Sequence, residues 1–287
     1  MDETGSKLAA WLKEGLSHHP TEGAIIVDGA AVAYRGWGLS AREKPALVLM
    51  HGFQAHAQWW DHIGPRLSDH FRVVAFSFTG MGDSGHRDRY SRAIHARELF
   101  ALCDTLDMPD AIPIAHSYGA MVTLEASLMA PDRFKRAILI EIWLDAIAER
   151  HAGYPLSQKR YFPDLETALG RFRFLPPSAW PHPVLLEYVK RHSFKETPEG
   201  WTWKFDERSP LSLNEDQGFH ALSAAKLPFD FIYGELTDVM DHSHIARVHE
   251  IMPACRASLG VPLAHHHAIL EQPAAFLMTL RALLAHP

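Results

Sequence analysis

Ser117 is the residue whose surroundings most strongly suggest nucleophilic chemistry. It stands in the segment A-H-S-Y-G, between an apolar run that ends at His116 and an apolar stretch typical of a helix. A serine at a strand-to-helix turn can be held in a strained conformation that exposes its hydroxyl, provided that the residues two before and two after are small. Ala115 and Gly119 meet that requirement. The alternative is a serine that only caps the helix, since serine is a favoured N-cap residue.

A serine hydroxyl is a weak nucleophile at neutral pH and needs a base and an acid. A neutral imidazole takes its proton, and a carboxylate fixes the tautomer of that imidazole and stabilises its cation. Both residue types follow Ser117 in the chain. Asp238 comes shortly after the apolar run F-D-F-I-Y-G, and three adjacent histidines at 265–267 follow another apolar run. The sequence therefore offers candidates for a complete serine-type triad.

The elements that must position these residues are indicated by apolar runs without polar alternation, a pattern typical of strands buried on both faces. The runs are P-A-L-V-L-M, F-R-V-V-A-F-S-F, A-I-P-I-A-H, R-A-I-L-I-E-I, F-D-F-I-Y-G and A-S-L-G-V-P-L-A. Helical stretches lie between them, for example at 91–106 and 120–129. This alternation predicts an α/β fold with a mostly parallel, doubly covered sheet. Reactive groups of such folds lie at the carboxyl ends of the strands.

Residues 146–216 interrupt the alternation. They are rich in aromatic residues and proline and contain no buried-strand run. The density of aromatic residues argues against a disordered loop. We therefore predict a helical cap at 146–216, inserted into a core formed by 1–145 and 217–287. If several aromatic side chains line a pocket, the substrate is apolar. The candidates are Phe53, Trp59, Trp60, Tyr118, Trp143 and Trp180.

The motifs of the chain resemble, in their order, those of the α/β-hydrolase superfamily, in the branch with a serine nucleophile and a helical cap. H-G-F at 51–53 is similar to the oxyanion turn, F-T-G-M-G-D-S-G to the family's glycine-rich turn, and A-H-S-Y-G to the nucleophile elbow. Y-G-E-L-T-D is similar to the acid loop and A-H-H-H-A-I-L-E-Q-P to the histidine loop. The resemblance covers residues 24–287 outside the cap. It has three departures: Ala115 replaces the usual glycine of the elbow, Ser77 stands where most members have an aspartate, and His265 occupies a position usually held by glycine.

The resemblance implies which histidine is the base. In the family the histidine stands five residues before the glutamate of L-E-x-P, and counting back from Glu271 reaches His266. His265 then occupies a position usually held by glycine, and His267 is the alternative base. His51 is interpreted as a structural turn residue, and the glycine-rich turn as architecture, since it has no lysine and no phosphate-loop spacing.

The resemblance also implies the acid and the oxyanion hole. Asp238 is the predicted acid; the alternatives are Glu235, Asp241 and Glu141, the last because some family members carry the acid after the preceding strand. The backbone N–H groups of Phe53 and Tyr118 are implied as oxyanion donors. Losing one such donor typically costs about 10²–10³ in rate.

The predicted activity is hydrolysis of a carboxylic ester, or a related acyl bond, of a small to medium apolar substrate through an acyl-enzyme on Ser117. Three alternatives keep the fold: a carbon–carbon bond hydrolase, a cofactor-free dioxygenase, and a ligand-binding receptor with slow turnover. Haloalkane dehalogenases and epoxide hydrolases are not expected, because they carry an aspartate at the elbow. We expect no cofactor, and the twenty histidines show no metal-ligand spacing.

Composition excludes other classes of function. A formal net charge of −6 and a pI near 6.4, without a long basic run, argue against binding to nucleic acid or an anionic membrane. No apolar run approaches the roughly 18 residues of a membrane span, and the N-terminal residues do not resemble a signal peptide. Cys103 and Cys255 are expected to be reduced and buried. We therefore expect a cytoplasmic protein, with no indication of its oligomeric state.

Overall fold

The computed structural model describes residues 3–144, 158–178, 181–210 and 221–285. Its strands are β1 (Thr21–Val27), β2 (Ala30–Trp37), β3 (Ala46–Met50), β4 (Arg72–Phe76), β5 (Ile112–His116), β6 (Ala137–Ile140), β7 (Phe194–Thr197), β8 (Gly200–Trp203), β9 (Phe229–Gly234) and β10 (Cys255–Val261). Eight of them form one sheet in the order β1-β2-β4-β3-β5-β6-β9-β10, and β7 and β8 form a separate antiparallel pair. Every pairing from β4 to the β10 edge is parallel, and the only antiparallel pairings of the large sheet are those of β2 with β1 and with β4. This confirms the predicted mostly parallel sheet.

The helices are α1 (Glu3–Ser17), α2 (Gly64–Leu67), α3 (Arg92–Thr105), α4 (Tyr118–Met129), α5 (Leu165–Arg171), α6 (Pro183–His192), α7 (His242–Ala246), α8 (Val248–Ile251), α9 (Ala268–Glu271) and α10 (Pro273–Ala285). A short 3₁₀ helix spans Ala57–Trp60. Within the part of the chain that the structure describes, no helix combines the length and the apolar character needed to cross a membrane.

The central strands are apolar at every position because the sheet separates two cores. All five residues of β3 and all five of β4 are buried. Since successive side chains of a strand point to opposite faces, Val48 and Met50 pack in one core with residues of α3 and α4. Leu47 and Leu49 pack in the other core with residues of α1 and α10. The doubly buried runs therefore fix both the sheet and its two helical layers.

The segment between β6 and β9 contains α5, α6 and the β7–β8 ribbon, so its described part is not purely helical as predicted. The difference from the prediction is the β7–β8 ribbon. After the turn that follows β7, Gly200 adopts a φ of 118° and begins β8, whose aromatic residues favour a strand. The segment lies against loops that follow the strands of the large sheet. Asp206 N–H, for example, donates to the carbonyl of Gly80 at 2.8 Å. The predicted boundaries at 145/146 and 216/217 and the candidate Trp180 lie outside the described residues, and the separate cap domain stays a prediction.

Candidate active site

Ser117 lies at the sharp turn between β5 and α4. Its φ of 52° and ψ of −113° are unusual for a residue with a side chain, and such strain is maintained only where the surroundings enforce it. Its N–H donates to the carbonyl of Ile140 at 2.8 Å, which ties the turn to β6. The side chain makes no capping hydrogen bond to α4. The alternative of a serine that merely caps the helix is therefore wrong.

Gly119, two residues after Ser117, must be small because atoms of the neighbouring strand and turn surround it. A Cβ atom on Gly119 would lie 2.9 Å from the carbonyl oxygen of His51 and 3.0 Å from the Cβ of Met50. Gly52 faces the turn from the other side, and a Cβ there would lie 3.3 Å from the Cβ of Ser117. The elbow and the H-G-F turn are thus in close contact.

We expect Gly119→Ala to lower the free energy of unfolding by about 1–3 kcal/mol, because the new methyl group overpacks a backbone that has no room for it. Urea unfolding followed by circular dichroism measures the change. Gly170→Ala in α5 is the matched control, since a Cβ there meets nothing within 4 Å and helical Gly→Ala typically stabilises by about 0.5–1 kcal/mol. If the two variants were equally stable, the crowding at the elbow would be refuted.

His266 is the histidine that faces Ser117. The distance from its Nε2 to the Ser117 Oγ is 3.1 Å, and its Nδ1 lies 2.9 Å from Oε2 of Glu141. Because a carboxylate only accepts hydrogen bonds, Nδ1 is the donor in the second contact. The neutral ring then presents an unprotonated Nε2 that accepts the Ser117 hydroxyl. The structure therefore brings together two of the three predicted triad residues in the orientation that nucleophilic catalysis requires.

The acid next to His266 is Glu141, so the structure corrects the prediction of Asp238. Glu141 directly follows β6, the neighbour of β5, and is fully buried with φ 53°. Its Oε1 accepts the N–H of Gly234 at 2.7 Å, and its Oε2 accepts the hydroxyl of Thr237 at 2.9 Å in addition to His266. These three donors compensate the cost of burying a carboxylate.

Asp238 lies at the surface instead. It is exposed, and no hydrogen bond or ion pair of Asp238 occurs among the described residues. The residue before it, Thr237, takes the inward position and donates to Glu141. The sequence carried a signal for this acid, since Glu141 is the only acidic residue in the apolar run R-A-I-L-I-E-I. A charge inside a doubly buried run must have partners, and at the end of a strand such partners mark a site.

The other two residues of the histidine run do not contact Ser117. The Nε2–H of His267 donates to the carbonyl of Pro176 at 3.0 Å, and burial lowers the pKa of His267 to about 3. The backbone N–H of His265 donates to the Glu271 carboxylate at 2.6 Å, which holds the loop in place. Of the three, His266 is thus the one placed to act as the base.

His51 has the structural role that its position suggested. Its Nδ1–H donates to the Gly52 carbonyl at 2.7 Å, and its Nε2 accepts the N–H of Phe78 at 3.2 Å. Burial lowers the pKa of His51 to about 3, so the ring stays neutral. These bonds connect the H-G-F turn to the loop after β4. They fix the backbone of Phe53, whose N–H we expect to point toward the oxyanion together with that of Tyr118.

The glycine-rich turn after β4 is also architectural. Ser77, the departure from the family pattern, accepts the N–H of Ala57 at 3.0 Å through its hydroxyl. A Cβ on Gly82, which has φ 54°, would lie 2.4 Å from that hydroxyl oxygen. The serine therefore serves as an internal connection between the turn and the 3₁₀ helix, and the adjacent glycine makes room for it.

A cavity of about 1130 Å³ opens onto Ser117 and His266. Nine of its lining residues are aromatic: Phe53, Trp59, Tyr118, Trp143, Phe162, Phe172, Phe174, Trp203 and Phe205. Four of the predicted aromatic candidates are among them. Trp60 is not, because it is buried in the core against Phe276. The exposed side chains of Arg160, Arg171 and Arg173 lie at the mouth.

The cysteines are not alternative nucleophiles. Cys103 and Cys255 are both buried and unpaired. Burial raises the pKa of each thiol to about 12, so neither forms the thiolate that nucleophilic chemistry needs. Ser117 differs from both cysteines in that its hydroxyl lies 3.1 Å from the Nε2 of His266.

The sequence matches the Alpha/beta hydrolase family over residues 47–279. This chain belongs to the alpha/beta hydrolase family. The match begins at β3 and ends within α10, so it includes the elbow, Glu141 and the histidine loop. Membership in the family accounts for the sheet order and for the place of Ser117 between β5 and α4.

Individual relatives of this alpha/beta hydrolase differ in chemistry. This chain is 29% identical over 131 residues to the 2-heptyl-3-hydroxy-4-quinolone dioxygenase AqdC2 of Rhodococcus erythropolis. The aligned region covers 43% of this chain and 46% of that protein. The chain is 24% identical over 250 residues to the pimeloyl-[acyl-carrier protein] methyl ester esterase of Klebsiella pneumoniae (strain 342), covering 83% and 92% of the two chains. The thioesterase domain from the curacin biosynthetic pathway superimposes with a TM-score of 0.75 at 21% identity, over 92% of this chain and all of that domain, and shows the shared fold.

Proposed function

We propose that this protein hydrolyses carboxylic esters, or a related acyl bond, through an acyl-enzyme on Ser117. The observation that carries the proposal is the continuous hydrogen-bonded series from the Ser117 hydroxyl to His266 at 3.1 Å and from His266 to Glu141 at 2.9 Å. This series supplies a nucleophile, a base in the correct tautomer and a buried carboxylate that stabilises the imidazolium.

The proposed reaction has two halves. His266 Nε2 takes the proton of Ser117 as Oγ attacks the carbonyl carbon, and the negative charge on the carbonyl oxygen is stabilised by the N–H groups of Phe53 and Tyr118. The imidazolium then gives its proton to the leaving alkoxide, and an ester bond to Ser117 remains. In the second half His266 takes a proton from the water molecule that attacks the acyl carbon. The imidazolium then returns this proton to Ser117 Oγ as the bond between Oγ and the acyl carbon breaks and the acid is released.

The cavity favours an apolar acyl or alcohol group. Its volume of about 1130 Å³ is slightly above the roughly 300–1,000 Å³ typical of small-molecule sites, and many of its lining residues are aromatic. An ester no larger than an acetate would leave most of this surface uncovered. The similarity to a methyl ester esterase of Klebsiella pneumoniae supports a substrate with a longer chain.

A series of p-nitrophenyl esters tests the proposal. We expect kcat/KM to rise from the acetate to the octanoate, by up to about 0.8 kcal/mol of binding for each methylene group that the cavity buries. A fluorophosphonate should inactivate the protein and label Ser117, as identified by peptide mapping. The proposal would be refuted if none of the esters were hydrolysed and the fluorophosphonate labelled another residue or no residue.

Cofactor-free oxygenation of a heteroaromatic hydroxyl compound is the second candidate. The observation that favours it is a cluster of aromatic rings in the cavity wall beside His266, in which the ring centroids of Trp59 and Phe174 lie 5.4 Å and 5.0 Å from that of His267. The similarity to the quinolone dioxygenase AqdC2 points the same way. In that reaction His266 would remove the hydroxyl proton and O₂ would be the second substrate, without a covalent bond to Ser117. Oxygen uptake with a 3-hydroxy-4-quinolone, measured in an oxygen electrode, distinguishes the two candidates.

A further inference from the structure

Two buried imidazoles next to the triad have ring nitrogens that the proposed reaction does not use. His116 and His267 are only 1% and 3% exposed, and both line the cavity. The Nε2–H of His116 donates to the carbonyl of His266 at 2.9 Å, and that of His267 donates to the carbonyl of Pro176 at 3.0 Å. Neither Nδ1 has a hydrogen-bond partner in the described part of the chain.

The protonation state of both rings follows from these contacts. A carbonyl oxygen accepts only, so Nε2 carries the proton in each ring. Each Nδ1 therefore has a free lone pair. The Nε2 of His266 has the third lone pair, since its Nδ1–H is given to Glu141.

The three rings are close enough to share one ion. One ring nitrogen from each of His116, His266 and His267 lies within 4.8 Å of the others. Their ring centroids are 4.9 Å, 5.1 Å and 5.9 Å apart. Zinc with Zn–N bonds of about 2.0–2.1 Å needs nitrogens roughly 3.4 Å apart, so the three rings must move closer together when the ion binds. Neutral imidazole is a ligand that Zn²⁺, Cu²⁺ and Ni²⁺ prefer.

We propose that His116, His266 and His267 form a binding site for a divalent transition-metal ion, and that an ion bound there inhibits the enzyme. The ion uses the Nε2 lone pair of His266, which is the one that accepts the Ser117 proton. Metal binding and nucleophile activation therefore exclude each other. All three residues line the cavity, so water can reach an ion bound there and supply a fourth ligand, as in three-histidine zinc sites.

Binding of Zn²⁺ alone to the untagged protein tests this site without any assay of turnover. Isothermal titration calorimetry should show one strong site, and Co²⁺ in place of Zn²⁺ should give the intense visible absorption of a tetrahedral ion. His116→Gln and His267→Gln should each weaken binding by about tenfold or more, while the exposed His70→Gln should not change it. Ser117→Ala should bind at least as tightly as the wild type, since its His266 has no hydroxyl to accept.

Three results would overturn the proposal. The first is that the wild type shows no strong Zn²⁺ site. The second is that His116→Gln and His267→Gln both bind Zn²⁺ as tightly as the wild type. The third is that His70→Gln weakens binding as much as they do. If both cluster variants fail to fold, histidine-ring NMR of the wild type takes their place. Zn²⁺ should then shift the signals of the three cavity rings before those of exposed histidines, and the reverse order would refute the site. Because the readouts are binding and spectra, their outcome does not depend on which reaction the enzyme catalyses.

Discussion

Replacing Glu141 by glutamine is expected to lower kcat/KM for an activated ester by about 10³–10⁴-fold, or about 4–5.5 kcal/mol of transition-state stabilisation. The reason lies in the three donors that converge on this carboxylate, which are the Gly234 N–H, the Thr237 hydroxyl and the His266 Nδ1–H. An amide has one oxygen to accept them and an NH₂ group that cannot.

Each orientation of the glutamine has a different cost. If its NH₂ group faces Gly234, two donors oppose each other inside the protein. If the NH₂ group faces His266 instead, the imidazole must accept at Nδ1 and carry its proton on Nε2, where it can no longer take the proton of Ser117. The first orientation lowers stability and the second lowers kcat, so urea unfolding and steady-state kinetics should be measured on the same preparation.

Asp238→Asn is the matched control, because Asp238 is the exposed carboxylate at the position that the family pattern suggested. We expect its kcat/KM to stay within about twofold of the wild type, since surface substitutions away from special features usually change little. A large loss in Asp238→Asn with little change in Glu141→Gln would contradict the assignment of Glu141 as the acid.

The contrast between these two carboxylates illustrates what the sequence can predict. The spacing of five residues before Glu271 selects His266 out of three adjacent histidines, and the structure places that residue against Ser117. The acid was misassigned because a loop that follows a strand can turn either of two neighbouring residues inward. In this protein Thr237 points inward and Asp238 points to solvent, which motif spacing does not determine.

The fold was more predictable than the site because its signal is repeated. Every central strand must supply apolar side chains to two cores, so each one appears as an uninterrupted apolar run. The inserted segment has no such requirement, and its β7–β8 ribbon was not predicted from the aromatic residues alone. The contact of His116 with His266 spans 150 positions along the chain and follows only from the adjacency of the elbow and the histidine loop in space.

Ser117→Ala is expected to lower kcat for ester hydrolysis by about 10⁵–10⁶-fold, because no other group can form the acyl-enzyme. A residual rate above that of water should remain, since the backbone donors and the cavity are intact. Stability should change by less than about 1 kcal/mol. The serine side chain makes no capping bond, and alanine fits the same crowded turn. Single-turnover kinetics with a p-nitrophenyl ester and urea unfolding measure the two effects.

Ser127→Ala provides the matched control on the same helix. Ser127 is buried, and its hydroxyl donates only to the backbone carbonyl of Leu124 at 2.7 Å. This variant should therefore retain the wild-type rate. Ester hydrolysis that persists in Ser117→Ala would show that Ser117 is not the nucleophile. Loss of ester turnover together with undiminished oxygen uptake on a hydroxyquinolone would instead assign the main chemistry to His266 and Glu141, because proton removal from such a substrate needs the base and not the serine.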